Sequence, residues 1–198
     1  MPTTHHPAAP NPVQAPIQVR RVDYRNPHDA AALVMLLNAY AQDPMGGQEA
    51  LPATTVNTLC QRLADFAGAA SWIAWAGKDH ANKAPVGLLN SFLGFSTFKA
   101  QPLLNVHDIA VLPAWRGRGI AQQLLAAAEA HARAQGCCKL TLEVLSNNTR
   151  AQGAYQRFGF ALYTLGTPQD DTQNQAQDRA PRHAKNPAGH ALFMQKWL

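Results

Sequence analysis

The residues of this chain whose types and spacing suit chemistry begin at Asn105: NVHDIAVLPAWRGRGIAQQLL. An apolar strand pattern runs into a turn, Arg116-Gly117-Arg118-Gly119-Ile120-Ala121, that opens directly onto a helix. Small residues in such a turn let the backbone approach a ligand closely, and glycine permits the dihedrals the turn needs. The first amides of the following helix lack internal partners and carry the positive end of its dipole. Together these features make an anion site suited to a pyrophosphate. Gly-x-Gly at a strand-to-helix junction is also often just a turn. A nucleotide P-loop does not fit, because no Gly-Lys-Ser/Thr follows. A dinucleotide fingerprint does not fit either, since it needs G-x-G-x-x-G in a repeated βαβ framework.

The elements that must position this turn can be read from periodicity. Ile17 to Tyr24 alternates as a first strand, and Leu33, Leu36, Leu37, Tyr40 and Ala41 recur at helical spacing over 28–41 until Asp43-Pro44 closes the helix. A second helix is expected from Ala53 to Phe66, with Thr54 or Thr55 as its cap and Val56, Leu59, Cys60 and Leu63 on its apolar stripe. Strands follow at 71–76, at 86–98 with interruptions, and at 105–112, where Pro113 ends the last. An alanine-rich helix over 119–135 stops at Gly136; then come a strand at 139–145, a short helix at 149–158 and strands at 160–165 and 190–198. The order β-α-α-β-β-β-α-β-α-β-β predicts an α+β fold with helices against one sheet.

Length and composition bound the rest. A chain of 198 residues with 46% hydrophobic content fits a single domain with an ordinary core. Residues 1–16 hold five prolines and no charged side chain, and 166–189 hold no apolar residue larger than alanine. The first is expected to be a flexible tail and the second a solvated or disordered loop, leaving 17–198 as the domain. No apolar run approaches a bilayer span, and no secretory leader is visible. Cys60, Cys137 and Cys138 lack the spacing of a zinc site or disulfide framework, which points to a reducing cytoplasm. His5, His6, His183 and His190 are too dispersed to suggest a metal. The net charge of +5 is scattered rather than clustered with aromatics, so a nucleic-acid partner is not expected. Activation of Cys137 or Cys138 as a nucleophile lacks a suitably spaced histidine.

Downstream of the turn, Asn148, Ala151, Tyr155 and Gly159-Phe160 follow at the spacing Asn-x-x-Ala-x-x-x-Tyr-x-x-x-Gly-Phe. With Ala110-Val111 and Arg116-x-x-Gly119-x-Ala121 upstream, the chain resembles the GNAT N-acetyltransferase family from about Asn105 to Phe160. Ala121 stands where many members have glycine. The resemblance implies a mixed, mostly antiparallel sheet splayed between strands 4 and 5 and flanked by helices, with acetyl-CoA as acyl donor. It implies that Ile109, Ala110 and Val111 run alongside the pantetheine arm. It places Arg116, Gly117, Arg118, Gly119, Ile120, Ala121 and Gln122 around the pyrophosphate, and Asn148 against the cofactor at the splay. Tyr155 would protonate the departing thiolate.

An alkyl amine has a pKa of about 10.4 and needs a base at neutral pH. Simple alternation puts Asn105, His107, Ile109 and Val111 on one face of the strand, and Val106, Asp108 and Ala110 on the other. Relatives often carry glutamate or histidine at the positions of Asn105 or His107. Asn105 cannot act as a base, whereas an imidazole, ordinarily near 6.5, can. His107 is therefore the candidate base, the alternative being a buried, hydrogen-bonded strand residue. Asp108 would attract the cationic amine, as similar diamine acetyltransferases do, or would cap backbone amides. Glu143, the 42–47 segment and Phe95 to Phe98 are candidates for lining the acceptor pocket. The expected activity is acetylation of a small-molecule primary amine in a ternary complex. The alternatives are a protein lysine or N-terminal acetyltransferase and a non-catalytic acyl-CoA sensor. Homodimers are common among such folds.

Overall fold

The computed structural model describes residues 15–77, 83–163 and 189–198. The expectations of a flexible 1–16 tail and a disordered 166–189 loop fall, but for Ala15, Pro16 and Gly189, outside these residues. The elements are β1 (Ile17–Arg21), α1 (Pro27–Ala41), α2 (Ala53–Asp65), β2 (Ala69–Ala76), β3 (Ala84–Ser96) and β4 (Gln101–Val111). They continue with α3 (Ile120–Ala134), β5 (Lys139–Leu145), α4 (Thr149–Arg157), β6 (Ala161–Leu162) and β7 (Ala191–Trp197). A short 3-10 turn at Pro113–Trp115 separates β4 from the Arg116 turn.

The sheet order is β1-β2-β3-β4-β5-β7-β6. Every neighbouring pair is antiparallel except β4–β5, which is parallel because α3 carries the chain back between them. β2 lies inside the sheet with helices over both faces, and all eight of its residues are buried. On one face Trp72, Ala74 and Ala76 meet Ile120, Leu124, Leu125, Ala128 and Ala132 of α3. On the other, Ile73 and Trp75 meet Ala32, Leu33 and Leu36 of α1. Each leucine so buried contributes about 1.5–3 kcal/mol, so the two helix stripes hold the layers together.

Local signals account for most boundaries. Asn26 caps α1 by accepting from His28 N and Asp29 N, with Pro27 in the first turn. The expected cap of α2 is corrected: Pro52 occupies the N-cap position, no side chain caps the helix, and Thr54 instead accepts from Thr58 through its carbonyl oxygen. β3 runs without interruption, and β4 starts four residues earlier than expected because its hairpin with β3 extends to Gln101.

Asp29 anchors α1 to β1. It is 1% exposed and accepts two hydrogen bonds from Arg20, one of them 2.6 Å long, and one from Asp23 N. Burial opposes ionisation of Asp29, but the bonds from Arg20 and Asp23 and the Arg20 charge outweigh it, so its pKa lies below the ordinary carboxylate value. Such a group stabilises the fold above the unfolded carboxylate pKa of about 4 and loses that contribution as pH falls through its lower folded value. Asp29→Asn should cost about 1–3 kcal/mol at pH 7, discounted from a fully buried pair because Arg20 is 41% exposed. Urea melts at stepped pH should show the gap between the two proteins closing in acid; a constant gap would reject this account.

Candidate active site

β4 and β5 pair at only three positions: Leu104 with Leu140, Asn105 with Thr141 and Val106 with Leu142. β4 continues to Val111 and β5 to Leu145, so the two strands separate beyond Val106. At the same point β4 is irregular against β3. Asn90 pairs with Asp108 and Ser91 with Val106, leaving His107 as the extra residue of a β-bulge.

The bulge corrects the face assignment drawn from alternation. Leu104, Val106, Ile109 and Val111 all pack into the α3-side core, so the parity of inward residues changes at His107. Asp108 shares its face with its partner Asn90. That is the α1 side, since the next pair on that face is Ala110 with Leu88, which lies in the α1-side core. His107 is exposed and meets Phe92 edge-on at 5.6 Å between ring centroids, which removes the reading of it as a buried strand histidine. Asp108 accepts from the side chain of Asn90 at 3.0 Å.

A cleft of about 710 Å³ opens where the strands part. Ile109, Ala110 and Val111 form one wall, and Asn148, Ala151 and Tyr155 of the α4 segment the other. Arg116, Gly117, Gly119, Ile120, Ala121 and Gln122 form one end. Tyr40, Asp43 and Met45 close over from the end of α1, so the 42–47 segment does reach the cleft. His107, Asp108 and Arg118 are not in this lining; the Arg118 guanidinium lies over the Trp115 ring at 5.0 Å. Phe95 to Phe98 form the tip of the β3–β4 hairpin and do not line the cleft, and Glu143 is exposed beside Phe193. Cys137 is buried, and that burial pushes its thiol above the ordinary value, the opposite of an activated nucleophile.

The turn has the geometry of an anion cradle. Gly117 and Gly119 lie at φ +80° and +71°, and a Cβ at either would meet no atom within 4 Å. Glycine is thus required by dihedral angle rather than by protein packing. Gly119 is the N-cap of α3 and supplies no side-chain cap, so no side chain competes for the first amides of that helix. Arg116 donates through Nε to Val111 O at 2.9 Å and pairs with Asp43 at 2.6 Å. It therefore ties the segment after α1 to the turn before α3. The hydrogen bond from Arg116 holds the Asp43 carboxyl below its ordinary value.

On the opposite wall Asn148 caps α4, accepting from Ala151 N at 3.1 Å. This bond fixes the first turn of α4 and hence the approach of Tyr155. The Tyr155 ring is buried beside Phe160, and burial pushes its hydroxyl far above the ordinary phenol value, with Tyr40 adding to the shift. Tyr40 is raised as well, by burial first and then by the negative charges of Asp108 and Asp43. Sequence reading did not single out Tyr40, although its place just before the 42–47 loop was the available signal. Asn90 was also missed; an asparagine between Leu89 and Phe92 in an apolar strand was the clue. Among the described residues, no group of three or more His, Cys, Asp or Glu is placed to hold a metal.

Residues 33–160 match the family model of the Acetyltransferase (GNAT) family. Streptothricin acetyltransferase of Streptomyces lavendulae is 40% identical over 79 residues, 40% of this chain and 42% of that protein. The tRNA(Met) cytidine acetyltransferase TmcA of Yersinia pestis is 27% identical over 187 residues, 82% of this chain and 26% of that protein. An aminoglycoside N(6')-acetyltransferase type 1 of Salmonella typhimurium is 34% identical over 61 residues, 31% of this chain and 42% of that protein. The chain thus spans less than half the length of these curated relatives. Among solved structures, the NatC complex bound to Gag peptide and CoA superposes with a TM-score of 0.64 at 19% identity, covering 92% of this chain and 98% of that one. Aminoglycoside acetyltransferase AAC(6')-Iy with CoA gives 0.60 at 19% identity, covering 86% and 99%. The chain belongs to the GNAT family of acetyltransferases, enzymes that use acetyl-CoA, and its seven-stranded sheet with one parallel pair is the fold of that family.

Proposed function

We propose that this chain transfers the acetyl group of acetyl-CoA to a primary amine of a small molecule by direct attack in a ternary complex. The observation that carries the reading is the convergence, in one cleft, of the uncapped α3 N-terminus, the separated edge of β4 and the buried Tyr155 hydroxyl. Bound acetyl-CoA supplies an activated thioester carbonyl. The residues present fit it: the amides of Gly117 to Gln122 face a pyrophosphate without side-chain competition, and Ile109, Ala110 and Val111 offer backbone to a pantetheine arm. Asn148 holds the far wall in place.

Chemically, the amine must lose a proton, the new N–C bond must form as the C–S bond breaks, and the sulfur must gain a proton. Asp108, on the α1 side beside Tyr40, attracts the ammonium form. His107, exposed at the bulge, takes the ammonium proton, directly or through water, so that the neutral amine can attack, and the second nitrogen proton leaves to solvent as the amide forms. Tyr155 protonates the thiolate and is reprotonated from solvent. A backbone N–H of the separated β4 edge polarises the carbonyl.

The small-molecule reading is supported by the antibiotic acetyltransferases among the relatives. The cytoplasm, expected from three free cysteines, is the proposed compartment. Among the described residues no helix is long and apolar enough to cross a membrane.

The test is mass detection of acetylated product from acetyl-CoA and separate pools of polyamines, aminoglycosides, amino acids and N-terminal peptides. Product from a small-amine pool is the expected result. Product from peptides alone would replace it with a protein acetyltransferase, and acetyl-CoA binding without any product would leave a sensor. His107→Ala should change the shape of the pH–rate profile; an unchanged profile removes it as the base.

A further inference from the structure

Two buried polar side chains lie on the α1-side face of β2 and β3. Ser71 of β2 is 1% exposed and Asn90 of β3 is 4% exposed, among Ile73, Trp75 and Leu88; Ser91, also buried, donates to Ala70 O at 2.8 Å. Buried polar atoms need partners, and these two find each other: Ser71 Oγ donates to Asn90 Oδ1 at 2.7 Å. The arrangement extends in both directions. Tyr24 Oη lies 2.8 Å from Ser71 Oγ, and Asn90 Nδ2 lies 3.0 Å from Asp108 Oδ2.

The direction of this chain follows from its last member. An ionised carboxylate only accepts, so Asn90 must turn its NH₂ toward Asp108 and its oxygen toward Ser71. Ser71 must then donate its single proton to that oxygen, which leaves its own oxygen to accept from Tyr24. Every donor from Tyr24 onward points toward Asp108. The chain crosses three strands from the β1–α1 connection to the bulge, and it ends on the residue whose facing the bulge decides.

We infer that Tyr24, Ser71 and Asn90 are positioning residues for acetyl transfer, a one-way hydrogen-bond chain that holds Oδ2 of Asp108 within the sheet and leaves Oδ1 to meet the amine. Oδ1 has no hydrogen-bond partner among the described residues. The inference rests on the proposed role of Asp108 toward the amine, and it adds what holds that carboxylate on a strand bent by a bulge. A charge-assisted bond fixes the carboxylate's rotation more firmly than a neutral one, and the upstream hydroxyls polarise the Asn90 amide in the same sense.

The experiment uses the full chain and two readouts. The first is the carboxyl ¹³C NMR signal of Asp108, assigned by its loss in Asp108→Asn. Ser71→Ala and Tyr24→Phe each remove one hydroxyl without adding bulk, and both should move this signal, Ser71→Ala further. The second is the rate of product formation with acetyl-CoA and the polyamine and aminoglycoside pools. Asn90→Leu should lower kcat/KM for the amine about ten- to hundredfold, the span of one hydrogen bond to a charged group, with the KM for acetyl-CoA unmoved. Tyr24→Phe, at the far end, should lower it about two- to threefold. Asn90→Leu combined with Asp108→Asn should be no slower than Asp108→Asn alone.

An Asp108 signal unmoved by Ser71→Ala and Tyr24→Phe, or losses that simply add in the double variant, would overturn the chain. If the signal moves but Asp108→Asn transfers acetyl normally, the chain exists and the role assigned to Asp108 fails instead.

Discussion

Tyr155→Phe should lower kcat about 10²- to 10⁴-fold, the usual weight of one positioned proton donor, with acetyl-CoA binding unchanged. Tyr155 lines the cleft wall opposite Ile109 to Val111, buried against Phe160, and in the proposed reaction its hydroxyl meets developing charge only when the thioester breaks. Burial and the neighbouring Tyr40 raise its pKa well above that of free phenol. The sign matters. A raised phenol is protonated throughout the working pH range, so Tyr155 can give a proton but is a poor acceptor. The loss should therefore be flat across neutral pH and larger for acyl donors with more basic leaving thiols. Replacing tyrosine with phenylalanine keeps the ring contacts, so the melting temperature should change little. Full activity across pH in the Tyr155→Phe enzyme would end its assignment as donor.

The second large effect concerns the α3 N-terminus. Gly119→Asp is expected to raise the KM for acetyl-CoA about thirty- to hundredfold while leaving kcat at saturation nearly unchanged. Gly119 lies at φ +71°, a conformation that aspartate tolerates better than most side chains, and its Cβ would enter open space. The fold should therefore survive. The new carboxylate, however, would sit beside the first helix amides, where the proposed pyrophosphate lies. Two charges about 5 Å apart at an effective dielectric near 20 repel by about 3 kcal/mol, which corresponds to about a hundredfold in affinity. Gly119→Asn has nearly the same shape without the charge and should cost far less. Equal losses in the two variants would mean that the turn acts through shape and does not hold a pyrophosphate. Titration of acetyl-CoA by calorimetry reads both directly, independent of any amine.

The parts of the site that were legible in the sequence are those whose partners lie close along the chain. The Arg116 to Gln122 turn and the helix behind it form one continuous segment, and ten of the eleven residues proposed to face acetyl-CoA do line the cleft. Arg118 is the exception. Its side chain found a nearby aromatic face on Trp115, a preference that spacing does not reveal. Tyr155 follows Asn148 at a fixed helical offset, so its presence on the wall could be anticipated once the helix was recognised. The succession of strands and helices along the chain was also readable, because alternating and continuous apolar runs reflect which faces are covered.

What escaped the sequence is set by contacts between distant segments. Alternation assumes a regular strand, and the bulge at His107 arises from register with β3, which no local pattern encodes. That single extra residue places Asp108 with Asn90 and exposes His107. Likewise the Asp43–Arg116 pair joins residues 73 positions apart, and Tyr24 reaches Ser71 across 47. The order of elements, the glycine turn onto α3 and the family follow from residues acting on their near neighbours. The facing of Asp108, the fastening of the α1 end over the cleft and the polar chain through the sheet follow from strand pairing, because side chains that far apart meet only after the sheet has formed.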